Sequence, residues 1–255
     1  MLHKETVTKD TLDLIRKFMR DEQLAQLQLV GGTDLALRIG HRLSIDIDLF
    51  TDKPFQASKL LKHLEKKHDV ELNEIGENMI LCMINNIKVD LIAHQYPNVR
   101  PSQNINGIRM ASMEDIAAMK INAIDNSGSR IKDFYDIYYL LREYKLEYIL
   151  NAYTAKYDNV DENRGRRALL YHHDIDFTAK IQLLDIKLKW KEVVKSLTDA
   201  VQAYDRDKAH KLFVQKLKEA IKPNEHGFST ERTEFGQSEI DSDEDLPKRS
   251  RGLKR

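Results

Sequence analysis

The chain lacks a second cysteine, an excess of either charge, and any apolar run long enough to span a bilayer. Cys82 is the one cysteine in 255 residues, so no internal disulfide can form. Its place in the apolar stretch Met79-Ile80-Leu81-Cys82-Met83-Ile84 reads as a buried small hydrophobe. Lys plus Arg and Asp plus Glu each number 41. No whole-molecule basic field therefore advertises nucleic acid, although a local basic patch is compatible with zero net charge. The first residues, Met1-Leu2-His3-Lys4-Glu5, lack the apolar core of a signal peptide. There is no internal repeat. The expectation is a soluble, cytoplasmic protein with no membrane partner, long enough for one large domain or two modest ones.

Periodicity divides the chain into three parts. Segment 8–26 has helical spacing at Leu12, Ile15, Phe18 and Met19. A short apolar run, 27–30, ends at Gly31-Gly32 as a strand entering a turn would. A helix over 33–39 follows, then a strand over 44–51, an amphipathic helix over 55–68, and strands over 69–75, 78–84 and 87–93. Asn85-Asn86 suits the turn of a hairpin. After about residue 112 the pattern becomes helical. Ser112-Met113-Glu114-Asp115 resembles a capping box, and helices are predicted to residue 126 and over 130–144, 146–157, 164–172, 177–197 and 207–222. Leu183, Ile186, Trp190, Val194 and Leu197 form the expected inward stripe of the helix over 177–197. Segment 223–255 has few large apolar residues, an acidic knot and a basic end, the composition of a disordered tail; a partner-binding or RNA-touching arm is the alternative. The predicted fold is α+β: a mixed sheet with flanking helices in residues 1–110, a helical domain in 111–222 that completes a cleft, and the tail.

Chemistry concentrates around Gly31-Gly32 and Asp46-Ile47-Asp48. On a strand, residues i and i+2 share a face, so Asp46 and Asp48 project together while Ile45, Ile47 and Leu49 project the other way. Two carboxylates on one face repel unless a cation lies between them. A hard divalent ion with oxygen ligands is the usual answer, commonly Mg²⁺ carried with a nucleoside triphosphate. Asp90, inside Ile87-Lys88-Val89-Asp90-Leu91-Ile92, is a third carboxylate that needs a partner. Glycine permits close approach and positive φ, and the free N–H groups of a helix beginning at Thr33 suit a phosphate. Each motif alone is weak; the ordered combination is specific. Asp174-Ile175-Asp176 repeats the acidic string without a preceding glycine turn and reads as structural.

The arrangement Leu29-Val30-Gly31-Gly32, Asp46-Ile47-Asp48-Leu49-Phe50 and Asp90 resembles the DNA polymerase β-type nucleotidyltransferase superfamily. More narrowly, Gly31-Gly32-Thr33-Asp34-Leu35-Ala36-Leu37 with Gly40-His41-Arg42-Leu43-Ser44-Ile45-Asp46-Ile47-Asp48-Leu49-Phe50 resembles the AbiEii/AbiGii toxin family. That family carries a lysine and a Lys/Arg-Asp-x-x-Asp element on later helices, where Lys120 and Lys132-Asp133-Phe134-Tyr135-Asp136 stand here. The resemblance covers roughly residues 25 to 200. It implies an enzyme that uses NTP with Mg²⁺ or Mn²⁺ and acts as the toxin of a toxin–antitoxin or abortive-infection system. It also implies a cognate antitoxin and an RNA acceptor such as tRNA. Gly31, Gly32 and Thr33 would cradle the triphosphate; Asp46 and Asp48 would hold metal, and Asp90 would complete a second metal site or act as base.

Other residues admit two readings. Arg42 and Ser44 either help bind nucleotide or pair with backbone and neighbouring carboxylates. His41 reads as a packing or capping residue. Lys120 either snorkels at a core edge or reaches the β/γ-phosphates as a point charge. Asp133 and Asp136 share a helix face and belong with the nucleotide site by resemblance. Lys132 and Asp136 also suit a surface salt bridge, and Asp133 suits orienting Lys120 or a ribose hydroxyl. His172-His173 lacks the further ligands of a zinc site. The tyrosines from 135 to 153 mostly pack, with base stacking as the alternative. A small-molecule acceptor and a non-catalytic nucleotide-binding regulator remain the competing functions.

Overall fold

The computed structural model describes residues 2–221, with the side chains of the last two left aside. The expected tail, 223–255, and the last residue of the helix predicted over 207–222 lie outside the described residues. By its contacts the chain divides into two units, Met1–Lys211 and Leu212–Arg255; of the second, only the end of a helix is described.

The first unit is built on a seven-stranded mixed sheet. Its strands are β1 (Gln28–Val30), β2 (Ile47–Thr51), β3 (Val70–Gly76), β4 (Met79–Ile84), β5 (Ile87–Ala93), β6 (Gln103–Ile105) and β7 (Ile108–Met110), in the order β3-β4-β5-β2-β1-β7-β6. β2 lies at the centre, antiparallel to β1 and parallel to β5, and its register sets Asp48 beside Asp90. Alternation explains the burial of β2: Ile47 and Leu49 enter the core while Asp48 and Phe50 face the other side. Asn85 and Asn86, both at positive φ, turn β4 into β5 as expected.

Helices α1 (Lys9–Arg20) and α3 (Ala57–Glu65) cover one face of the sheet with Leu12, Ile15, Phe18, Leu60, Leu61 and Leu64. α2 (Gly31–Ile39) follows β1 directly. On the other face stand α4 (Met113–Asn126), α5 (Ile131–Glu143), α6 (Leu146–Lys156) and α7 (Glu162–Ala168), whose apolar sides form a second core that also takes in Val30 and Leu35. Ser112 Oγ accepts from Asp115 N at 3.0 Å, capping α4. The last helix is α8 (Trp190–Ile221). Among the described residues, no helix is long and apolar enough to cross a membrane.

Several boundaries differ from the sequence prediction. The strand predicted over 44–51 begins at Ile47. Ahead of it, Leu43 N donates to Gln182 O and Ser44 N to Thr6 O, both at 2.8 Å, so these backbone groups leave the ladder and Ile45 is 67% exposed rather than inward. The helix predicted over 177–197 does not start until Trp190 and then runs through the gap expected before 207. Within the irregular stretch, Leu183 pairs with Arg42 in an isolated antiparallel bridge, and Ile186 is 89% exposed instead of lying in an inward stripe. β6 and β7 were not predicted at all.

Candidate active site

Gly31 is the hinge between β1 and α2. Its φ of +71° is open to glycine, and a Cβ there would stand 2.3 Å from Asp48 Oδ2. A Cβ on Gly32 would stand 2.1 Å from Arg42 Nη2. The two glycines thus let the start of α2 press against the carboxylate of β2 and the guanidinium of the following loop. Thr33 is buried, its hydroxyl donating to Ser44 Oγ at 2.8 Å and also contacting the Asp46 carbonyl oxygen. The structure therefore turns the Thr33 side chain inward to hold the loop that carries Asp46, which leaves its backbone N–H rather than its hydroxyl for the triphosphate cradle implied by the family resemblance. Ser44 serves the same joint.

The three carboxylates meet at the centre of the sheet without closing on one another. Burial, then the adjacent negative Asp90, pushes the Asp48 carboxyl above the usual range. Asp90 Oδ2 accepts from Lys88 Nζ at 2.9 Å, while its Oδ1 is buried with no hydrogen-bond partner. Asp46, just ahead of β2, lies 3.5 Å from Lys132 Nζ. Among the described residues no three His, Cys, Asp or Glu side chains form a ready ligand sphere; the lysines on Asp90 and Asp46 supply the local positive charge. The donor chemistry nevertheless fits a hard divalent cation: all-oxygen ligands, one of them an orphaned buried atom, around a carboxyl whose ionisation its surroundings oppose.

A second set of charges braces this wall from behind. Asp136, fully buried on α5, accepts from Arg42 Nε at 2.7 Å and Nη2 at 3.1 Å, and shares Oδ1 with His41 Nε2 at 2.7 Å. Lys120 Nζ on α4 lies 2.6 Å from Asp136 Oδ2 and 2.7 Å from Asp133 Oδ1. Burial alone would raise the Asp136 carboxyl, but Arg42 and Lys120 outweigh it and hold the group well below the ordinary carboxylate range. Burial likewise opposes charge on Lys120, yet Asp133 and Asp136 leave its ammonium more basic than usual. The Lys132–Asp136 surface pair weighed from sequence is corrected here: Asp136 turns inward to Arg42 and Lys120, and Lys132 faces Asp46.

Between these walls lies a cavity of about 380 Å³ that reaches Gly31, Gly32, Asp48, Lys120 and Asp133 and extends along α4. The sequence reading missed part of its lining: Phe50, His94, Asn122, Asn126 and Tyr157. Asn122 and Asn126 carried a usable signal, since i and i+4 share a helix face. Lys88, two residues before Asp90 on one strand, carried another. His94 and Tyr157 meet only through tertiary packing, with Nε2 and Oη 3.0 Å apart. His41, set aside as a packing residue, proves to be one of three basic side chains on Asp136.

Comparison with known proteins bears on the fold and the family. MenT4, a nucleotidyltransferase toxin from Mycobacterium tuberculosis H37Rv, superposes with a TM-score of 0.54 at 14% identity, over 75% of this chain and 82% of that one. JHP933 from Helicobacter pylori gives 0.50 at 18% identity, over 82% and 99%. At such identities the likeness is one of fold. An uncharacterized protein of Aquifex aeolicus (strain VF5) is 32% identical over 183 residues, which is 69% of this chain and 86% of its own length. With its paired strands, glycine turn and helical wall, the protein falls in the class of nucleotidyltransferases. The family model for the nucleotidyl transferase AbiEii toxin, of type IV toxin–antitoxin systems, matches residues 13–106 and 85–211. The chain belongs to that family.

Proposed function

We propose that the protein transfers a nucleoside monophosphate from an NTP to a hydroxyl of RNA, with tRNA as a leading acceptor, and that it acts in the cytoplasm as a toxin restrained by a cognate antitoxin. The observation that carries the site is the register of β2 and β5, which sets Asp48 beside an Asp90 whose Oδ1 is buried and unpartnered. Asp46 and Asp48 would hold Mg²⁺ or Mn²⁺, which would neutralise phosphate charge and lower the pKa of an attacking hydroxyl, with Asp90 either as a further ligand or as the base. The N–H groups at the start of α2, brought close by Gly31 and Gly32, receive the triphosphate. The acceptor oxygen attacks the α-phosphorus in line, the bond to the bridging oxygen breaks, and pyrophosphate leaves; as base, Asp90 takes the hydroxyl proton.

Within this reading residues 1–110 are the catalytic part, supplying Asp46, Asp48 and Asp90, and residues 111–222 the helical part, supplying Lys120, Asp133 and Asp136. Two protons of the Lys120 ammonium are directed to carboxylates, which makes it chiefly a positioning residue that also lends the cleft positive charge. Arg42 and Asp136 hold the loop before β2. What supports a nucleic-acid acceptor over a small molecule is the rim beside Asp46, where Lys132 and Lys180 line a hollow.

The test is incubation of the protein with each α-labelled NTP, Mg²⁺ and total RNA. Label should enter RNA with the wild type and not with Asp48→Ala; equal labelling by both sinks the proposal. Growth arrest on expression should likewise disappear in the Asp46→Ala/Asp48→Ala form.

A further inference from the structure

We propose that the part of the cavity along α4 is the nucleobase site and that the Asn122–Asn126 amide pair sets the base preference. This rests on the nucleotide site proposed above and deepens it. Asn122 and Asn126 lie one helical turn apart and both line the cavity. Asn126 Nδ2 donates to the Asn122 carbonyl oxygen at 2.9 Å and to Asn122 Oδ1 at 3.0 Å. Those bonds fix both amides: flipping Asn122 would set its NH₂ against that of Asn126. The donors of Asn126 and the acceptor of Asn122 are thereby engaged. Asn122 Nδ2 is left as a donor and Asn126 Oδ1 as an acceptor, a neighbouring pair of the kind that reads a base edge.

The rest of the wall suits a flat ring. Phe50 and His94 stack with centroids 5.6 Å apart and planes at 26°, and Met119 adds an apolar surface. Burial, then the charge of Lys156, depresses His94 to about 4, so its ring is neutral at working pH. Tyr157 fixes that ring through its hydroxyl. Gly31 and Gly32 line the same cavity, so a triphosphate at the start of α2 can place its base against this wall. A pocket that combines an apolar stack with a few fixed polar groups discriminates among ligands mainly through those groups.

The test is calorimetric titration of the full-length protein, with Mg²⁺ present, against ATP, GTP, CTP, UTP and inorganic tripolyphosphate. The wild type should bind its best NTP at least about tenfold more tightly than its worst, the worth of roughly one good hydrogen bond. In Asn122→Ala and Asn126→Ala that ratio should fall to within about threefold, while tripolyphosphate binds as before. Asn126→Asp keeps the size but removes the donor that orients Asn122, so it should also lose the ratio. Thermal melts verify that the variants fold. A wild type with no preference, or variants that keep it, overturns the inference. If tripolyphosphate binds as well as any NTP, the phosphate site stands and the base pocket falls. If neither tripolyphosphate nor any NTP binds, the nucleotide-site reading fails as well.

Discussion

A Cβ on Gly31 would lie 2.3 Å from Asp48 Oδ2, so the backbone of the first turn of α2 is fitted against the carboxylate of β2. Gly31→Ala adds strain at a φ of +71°, about 1–2 kcal/mol, and pushes the Asp48 side chain aside. Nucleotide incorporation should drop by about a hundred-fold or more, because sub-ångström placement governs in-line transfer. Initial rates measured with labelled NTP, beside a thermal melt, check this. A folded variant working at the wild-type rate would contradict it.

Asp136 is the shared counter-charge of two buried cations. Asp136→Ala leaves Arg42 and Lys120 buried without their shared carboxylate, and a broken buried pair costs about 3–5 kcal/mol. Urea denaturation should show that loss as a lower midpoint with little change in slope. A shift below about 1 kcal/mol would mean that the two cations find other partners.

Lys88 contacts Asp90 Oδ2 at 2.9 Å, so in the metal site proposed above it would compete with a divalent cation for that carboxylate. Lys88→Met should tighten Mn²⁺ binding to the nucleotide-free protein by about tenfold, or 1.4 kcal/mol, as read from electron paramagnetic resonance titration. Weaker binding would show that Lys88 organises Asp90 for the metal instead.

Acid should destabilise the protein partly through His94. The unfolded imidazole takes its proton near 6.5 and the folded one only near about 4. Stability contributed by His94 is therefore complete above 6.5 and is lost as pH falls from there toward 4. Any fall in melting temperature between pH 7.5 and 4.5 should be smaller in His94→Phe than in the wild type, while buried Asp34, raised to about 7, works in the opposite direction in both. His41, His68 and His172, also depressed first by burial, leave a residual slope. An unchanged slope in His94→Phe would refute the assignment.

Local chemistry was legible in the sequence where local rules decide the structure. The alternation through Ile47, Asp48 and Leu49 marked the two faces of β2, and Ser112 marked the start of α4. Misreadings arose where distant partners decide. Nothing local indicates that Leu43 N bonds to Gln182 or that Leu183 bridges to Arg42, so the strand was drawn too long and an irregular stretch was drawn as helix. Spacing made Lys132–Asp136 an attractive pair, yet a desolvated carboxylate takes the stronger bidentate partner, Arg42, 94 positions away. β6 and β7 have three residues each, too few for a period, although Asn106-Gly107 between them is a strong hairpin signal.

The Arg42–Asp136 contact also bears on when the enzyme can come into being. Synthesis runs from the N-terminus, so the glycine turn and all three carboxylates leave the ribosome well before α5 does. Until Asp136 emerges and α5 packs, Arg42 has no buried counter-charge, and the loop ahead of β2 lacks its anchor. A growing chain thus displays Asp46, Asp48 and Asp90 before the Asp136 that anchors the loop ahead of β2 has been made. A chain that ends before residue 136 lacks that anchor for Arg42, whatever else of the cleft it already carries.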